Sequence, residues 1–356
     1  MTVQSASPMA APGRGKAARG WLKRLLLLRE SPIGMVGAFL VLFWIVVAIL
    51  APVLSPYDPN VNDYDLAAAP SATPPDAGAA PPPADQSTAT PPADQAAGTT
   101  AESGSASPGA DTANPSYGTA PTDEATESQP YLGPSAQHWL GVDNSHRDLL
   151  SRLIWGSRTV LTVAPVAVLF AYIVGCVMGL LAGYYRGWVD TLLMRIADII
   201  LSFPVIVLYI IIIAKFGPSV ANIIVAVTFI AAPQIARIVR GLTLELREKD
   251  YVAAAKMRGE PAWYIMVVEI LPNARGPLIV DACLRMGYTT IAIGVLGFLG
   301  LGLPPPDPDW GGMVKETYAY LSSDPHMALI PCAAISSLVV GFNLLADGLR
   351  EISLRD

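Results

Sequence analysis

The residues that could do chemistry in this chain are few, and their spacing favours pairing over bond-making. Asp281 and Arg285 stand four apart in one apolar run, and Arg195 and Asp198 stand three apart in another. Both spacings bring two side chains together on one helix face. Ionisable groups inside apolar segments are costly and often functional. Here structural pairing is favoured over direct contact with a solute, because each pair lies near a helix end from which long side chains reach toward water. His138, His146 and His326 lie far apart in polar segments, which argues against a metal site. Cys176, Cys283 and Cys332 fall in apolar runs without CxxC spacing, so buried free thiols are expected. No GxxxxGK[ST] phosphate loop is present, so the chain cannot cradle ATP in that manner and no cofactor of its own is expected. No HExxH pattern or facing nucleophile and base supports an intramembrane enzyme.

A hydrophilic stretch rich in charge of both signs, from Arg240 to Gly259 and on to Leu271-Pro272, is flanked by long apolar runs. It cannot lie in lipid and must be presented at the membrane surface, where a soluble partner can grip it. It reads as two short helices. Lys249 or Asp250 opens the first, and Gly259 suits a left-handed C-cap. Pro261 suits the first turn of the second helix, and Pro272 ends it. Tyr251 begins the segment, and Ala253, Ala254 and Ala255 give it a low-relief surface that a partner can approach closely. A helix-turn-helix that reads DNA is the alternative, but apolar spans on both sides oppose it, and no nucleic-acid partner is expected.

The elements that hold these residues are membrane helices. Charged residues are 15% of the chain and hydrophobic ones 52%, against the roughly 25% charge of a soluble domain. Mean hydropathy is +0.44. Six runs are each near the ~20 residues that a spanning helix needs: Ile33–Leu54, Val160–Tyr184, Thr191–Ala214, Ser219–Ile238, Pro277–Leu301 and Met327–Leu349. The expected fold is all-α and polytopic, because continuous helices satisfy the backbone in lipid. No Lys or Arg occurs from Ser31 to His146, whereas basic residues crowd the N-terminal arm and the segment between spans four and five. The positive-inside tendency therefore places both termini in the cytoplasm. Arg147, Arg152 and Arg158 disagree with that pattern. They alternate with apolar residues, which fits an amphipathic helix lying on the outer interface.

The expected organisation is a cytoplasmic arm over 1–32, a first span over 33–54, an extracytoplasmic loop over 55–137 and a five-span core over 138–350. Within the loop, Pro70 to Pro134 is Pro-, Ala- and Asp-rich and too poor in large apolar residues to offset its ordering entropy, so disorder is expected. An acidic tether is favoured there over a docking arm. Pro204 and Pro233 can kink their spans, as a gate or as plain packing features. Gly294, Gly297 and Gly300 form a small-residue face suited to helix–helix or permease–permease contact, or to a pore wall. Trp310 and Tyr318 could meet an external protein or anchor the interface.

The charged segment resembles the EAA loop of ABC-importer permeases, here spanning about 248–274. Its spacing falls on Ala253-Ala254-Ala255, Gly259 and Leu271-Pro272, with Ala253 in place of Glu and Glu269 in place of an apolar residue. The similarity runs from about Trp139 to Leu349. Leu140-Gly141-Val142-Asp143 and Arg147–Leu153, with His146 where Gly is expected, look like the C-type permease subunit of dipeptide and oligopeptide importers. Gly187-Trp188-Val189-Asp190, Met194–Asp198, Ser202-Phe203-Pro204, Arg237–Gly241, Phe298–Gly302, Trp310-Gly311 and Asn343–Arg350 follow that family in order. The long Pro/Ala/Asp stretch is an insertion. The resemblance implies a type I importer permease fold, multi-pass in the cell membrane, working with a second permease, two ATPase subunits that bind ATP and Mg, and an external solute-binding protein. It also implies that the EAA segment couples to the ATPase. The rival is a self-contained secondary transporter, opposed by the small number of spans and the lack of an obvious internal repeat.

Overall fold

The computed structural model describes residues 31–61, 133–303 and 307–353. The basic N-terminal arm and nearly all of the acidic insertion lie outside the described residues. Helix α1 (Pro32–Ile49) starts where the Ser31 hydroxyl accepts the Gly34 amide at 3.3 Å and Pro32 takes the first helical position. A single turn, Ala51–Leu54, follows it. The chain is next described before α2 (Leu149–Tyr185), whose start is fixed by Asp148 accepting the Ser151 amide at 2.7 Å. Then come α3 (Gly187–Leu201), α4 (Val205–Phe216) and α5 (Val220–Leu246). The charged segment forms α6 (Asp250–Met257) and α7 (Ala262–Tyr264), which winds on as a π-helix over Ile265–Ile270. Helices α8 (Arg275–Phe298), α9 (Trp310–Thr317) and α10 (His326–Ser353) complete the described chain. Among the described residues the only β pairing is one bridge between Val142 and Asp148.

Five helices, α1, α2, α5, α8 and α10, are long and apolar enough to cross a membrane. The sixth expected span is not a straight helix. Over Thr191–Ala214 the chain is α3 and α4, bent by 85°. Pro204 stands at the break as the residue before α4. Proline has no N–H to give and pushes its predecessor out of helical geometry, so Ser202-Phe203-Pro204 ends one helix and starts another. Pro233 behaves differently and is buried inside an unbroken α5.

A second correction concerns the outer arginines. Among the described residues they form no separate interfacial helix, since Arg152 and Arg158 belong to the 37-residue α2, a rod of about 55 Å. Arg152 is buried, because it is paired. It donates to Asp143 and reaches Glu316 of α9 at 2.6 Å, while Arg147 bonds the same two acids at 2.9 and 2.7 Å. Asp143, fully buried, also accepts the Ser145 and Arg147 amides. His146, where the family pattern has Gly, takes φ +58° in this loop.

Glycine sets the helix spacing. Gly175, Gly179 and Gly183 line the face of α2 that meets α5. A Cβ at Gly179 would sit 2.6 Å from both the Ala236 carbonyl oxygen and the Val239 Cβ. Small residues four apart let two backbones approach closely in lipid. A similar contact joins α1 to α10, where Gly34 meets Gly348 and Gly37 meets Leu345. On α8, Gly294 and Gly297 receive the backbone of α9 at Gly311 and Gly312, so this face is used within the chain.

Trp310 does not present itself to an external protein. It is fully buried, donates to the Leu153 carbonyl at 2.9 Å and packs on Trp44 with ring centres 4.8 Å apart. Tyr318 is 58% exposed. Asp309 caps α9 by accepting the Gly311 and Gly312 amides at 3.4 and 3.1 Å. Burial pushes its carboxyl up to about 6, although those amides and Arg152 oppose the shift. The native state thus holds a proton that the unfolded chain, with an aspartate near the usual ~3.9, has released. Stability therefore falls as pH rises from about 4 to about 6, by an amount on the order of 3 kcal/mol, and stays lower above that. Asp309→Asn, which keeps a capping acceptor, should remove this slope. A pH series of apparent melting temperatures in detergent checks it. An unchanged slope would place the titrating group elsewhere.

Candidate functional site

The two arms of the charged segment are held against the bundle by apolar side chains. α6 buries Val252 and Ala255, and α7 with its π-turn buries Ile265, Met266 and Ile270. All five join Leu180, Ile235, Val239 and Leu278 in one cluster that links α2, α5 and α8. Full burial of such a side chain contributes about 1.5–3 kcal/mol, so the element is anchored to three helices at once. Ala255 therefore faces inward, and of the alanine triplet only Ala253 is exposed, with Ala254 half-buried.

Gly259 makes the turn between the arms. Its φ is +76°, a left-handed value that costs little only without a Cβ. The Glu260 amide donates back to the Ala255 carbonyl at 3.2 Å, the long bond of a Schellman turn. No atom lies within 4 Å of where a Gly259 Cβ would be, so this glycine answers to backbone angle and not to crowding. Pro261 sits one place before the second helix, as its N-cap. Leu271 is half-buried, its amide bonded to the Met266 carbonyl at 3.0 Å, and Pro272 is exposed just after it. Glu269, which departs from the EAA pattern, bridges the arms by meeting Arg258 at 3.2 Å. Burial raises the Tyr251 phenol above its ordinary value, with the Asn273 side chain opposing.

The element is also tied to the end of α2. Arg247 donates to the Tyr184 carbonyl at 2.6 Å. Arg247 and Lys256 each lie 5.8 Å from the centre of the Tyr184 ring, within cation–π range. Arg186 and Glu248 add an exposed pair at 2.8 Å. On the outward surface stand Met257, 85% exposed, and Trp263, 62% exposed. Sequence reasoning passed over both, although a tryptophan in a charged inter-span segment is a visible signal.

The intramembrane pairs divide. Asp281 meets Arg285 at 3.3 Å as its i,i+4 spacing implies. Asp281 also accepts the Tyr172 hydroxyl at 2.5 Å, and Arg285 donates to Gln234, so the pair ties α2, α5 and α8 together. Arg195 and Asp198 do not pair. Asp198 is bonded by Arg237 of α5 at 2.5 Å, and Asp190 of α3 takes Arg240 at 2.5 and 2.6 Å. Helix packing brings a partner from 39 residues away closer than the neighbour on the same helix. A cavity of about 320 Å³ lies among α4, α5 and α8, with Tyr209, Gln234, Arg285 and Tyr288 on its wall. The three cysteines are free and half-buried.

Residues 175–356 match the family described as the binding-protein-dependent transport system inner membrane component. The chain belongs to that family. Residues 22–82 match the N-terminal transmembrane domain of oligopeptide transport permease C. Among curated proteins, the permease is 43% identical over 219 residues to the glutathione transport system permease protein GsiD of Pectobacterium atrosepticum, covering 62% of this chain and 73% of that protein. It is 42% identical over 228 residues to the dipeptide transport system permease protein DppC of Alkalihalophilus pseudofirmus, covering 64% of this chain and 75% of that protein. Membership makes it a multi-pass transport permease of the inner membrane and assigns no enzymatic role.

Proposed function

We propose that this permease forms, with a second permease, the pathway of an ABC importer for peptides or a related solute such as glutathione. Two ATPase subunits carrying ATP and Mg drive it, an extracytoplasmic binding protein delivers the solute, and both termini face the cytoplasm. The observation that carries this reading is the two-armed element at the ends of α5 and α8. It turns at left-handed Gly259, is rooted in α2, α5 and α8, and shows Ala253, Met257 and Trp263 outward. A push on such an element reaches three membrane helices together, which suits the rigid-body rocking of alternating access. The relatives' names, for dipeptide and glutathione transport, support the solute class. The Lys/Arg bias supports the orientation.

Reconstitution tests it. The purified permease alone in lipid should turn over no nucleotide. Dipeptide uptake should require the second permease, the ATPases and the binding protein together. Nucleotide turnover by a preparation shown free of ATPase subunits, or uptake without them, would overturn the proposal.

A further inference from the structure

The cavity among α4, α5 and α8 has one cation on its wall, Arg285, among apolar and hydroxyl-bearing side chains and the Gln234 amide. Arg285 uses Nε toward Asp281 and Nη1 toward Gln234. Its Nη2 makes no hydrogen bond among the described residues and is not sealed in the interior. The same residue lines the cavity, beside Gln234, Tyr288 and Thr289, with Ile230 and Val295 among the apolar groups. An arginine has five N–H donors in a planar fork suited to a carboxylate. A volume of about 320 Å³ is at the lower end of the range for small-molecule sites, about 300–1,000 Å³.

We propose that Arg285 contacts the carboxylate of the solute as it passes through this cavity. The inference rests on the peptide-permease reading and names the residue that recognises the peptide's charged end. Asp281 fits the same role. It stands 3.3 Å from Arg285 and is itself held by the Tyr172 hydroxyl, so the two charges balance each other. An arriving carboxylate must share the guanidinium with Asp281, which keeps the contact weak. A pathway needs weak sites, because what enters must also leave. Gln234 fixes the guanidinium plane from α5 while Asp281 holds it from α8, so relative movement of those helices would change its aim.

The test separates solute contact from structural neutralisation of Asp281. In the complete reconstituted importer, uptake of the dipeptide Ala-Ala is measured for the wild type, Asp281→Asn/Arg285→Gln and Asp281→Asn/Arg285→Lys. Membrane insertion and ATPase co-purification are followed in parallel. With Asp281 neutral, an arginine needed only as its counter-ion is dispensable. The expected result is that the Gln double variant assembles but imports Ala-Ala at about a tenth of the wild-type rate or less, a tenfold step being about 1.4 kcal/mol. The Lys double variant, which keeps a cation, should import several times faster than the Gln one. Wild-type uptake by the Gln double variant, or equal uptake by both double variants, overturns the assignment of Arg285 and leaves the peptide-permease reading standing. Should the Gln double variant fail to assemble, the Lys one still decides: uptake no faster than that of a wild-type complex lacking ATPase overturns the assignment. Absence of Ala-Ala uptake by the wild type itself overturns the peptide reading, and this inference with it.

Discussion

Gly259→Val is expected to leave the permease in the membrane at its normal level and to stop it from working. Position 259 needs φ +76°, and a β-branched residue held there carries strain of about 1–3 kcal/mol. The open space around the Cβ site means the strain cannot be blamed on a clash. It is relieved only by letting α6 and α7 change their mutual angle, which would also disturb the Arg258–Glu269 bridge. Because the apolar anchors Val252, Ala255 and Ile265 remain, the segment stays folded onto the bundle but presents Met257 and Trp263 wrongly. Solute uptake should fall by roughly tenfold or more, as expected when binding loses about 1.4 kcal/mol. ATPase co-purification should weaken, or hydrolysis should continue without transport. Gly259→Asn, whose side chain tolerates left-handed geometry, should retain much more activity. Uptake by Gly259→Val at the wild-type rate would show that this segment is not the coupling element.

Gly179→Leu acts on the bundle instead. Its side chain would enter α5 where even a Cβ has only 2.6 Å to the Ala236 carbonyl oxygen and the Val239 Cβ. The backbone of a neighbouring helix cannot step aside as a side-chain tip can, so α2 and α5 must separate. Overpacking typically costs about 1–3 kcal/mol, and a leucine against backbone should reach at least that. The expected outcome is a several-fold fall in membrane abundance and a lower melting temperature in detergent. Gly241→Leu serves as the control, since nothing lies within 4 Å of a Cβ there. If both leucine variants accumulate and melt like the wild type, close glycine contact is not what holds these helices.

The membrane class, five of the six expected spans and the charged segment between spans four and five were legible because hydropathy, charge and turn residues act locally. Gly259 and the start of α6 followed from the same local chemistry. So did the Asp281–Arg285 pair, since i,i+4 geometry needs one helix only. The Gly175-Gly179-Gly183 stripe was passed over in the sequence, although small residues four apart are a local signal, and its partner could not be read there at all. Nothing in α2 names Ala236 and Val239 as the surface it meets.

What only the tertiary structure decided is which side chains find each other across helices. Asp198 chose Arg237 over Arg195, and Arg152 became buried because Asp143 and Glu316 converge on its Nη1. Trp310 was withdrawn into the core by Trp44, a residue more than two hundred and fifty positions away. The α3–α4 bend turned one expected span into two short helices and opened a wall of the cavity in which Arg285 stands. Sequence by itself determined that this chain is a bundle of membrane helices with an exposed two-armed element, because periodicity, hydropathy and backbone preference are properties of neighbours along the chain. The pairing of charges and the shape of the cavity are set by distances between helices, and those distances depend on every packed face at once.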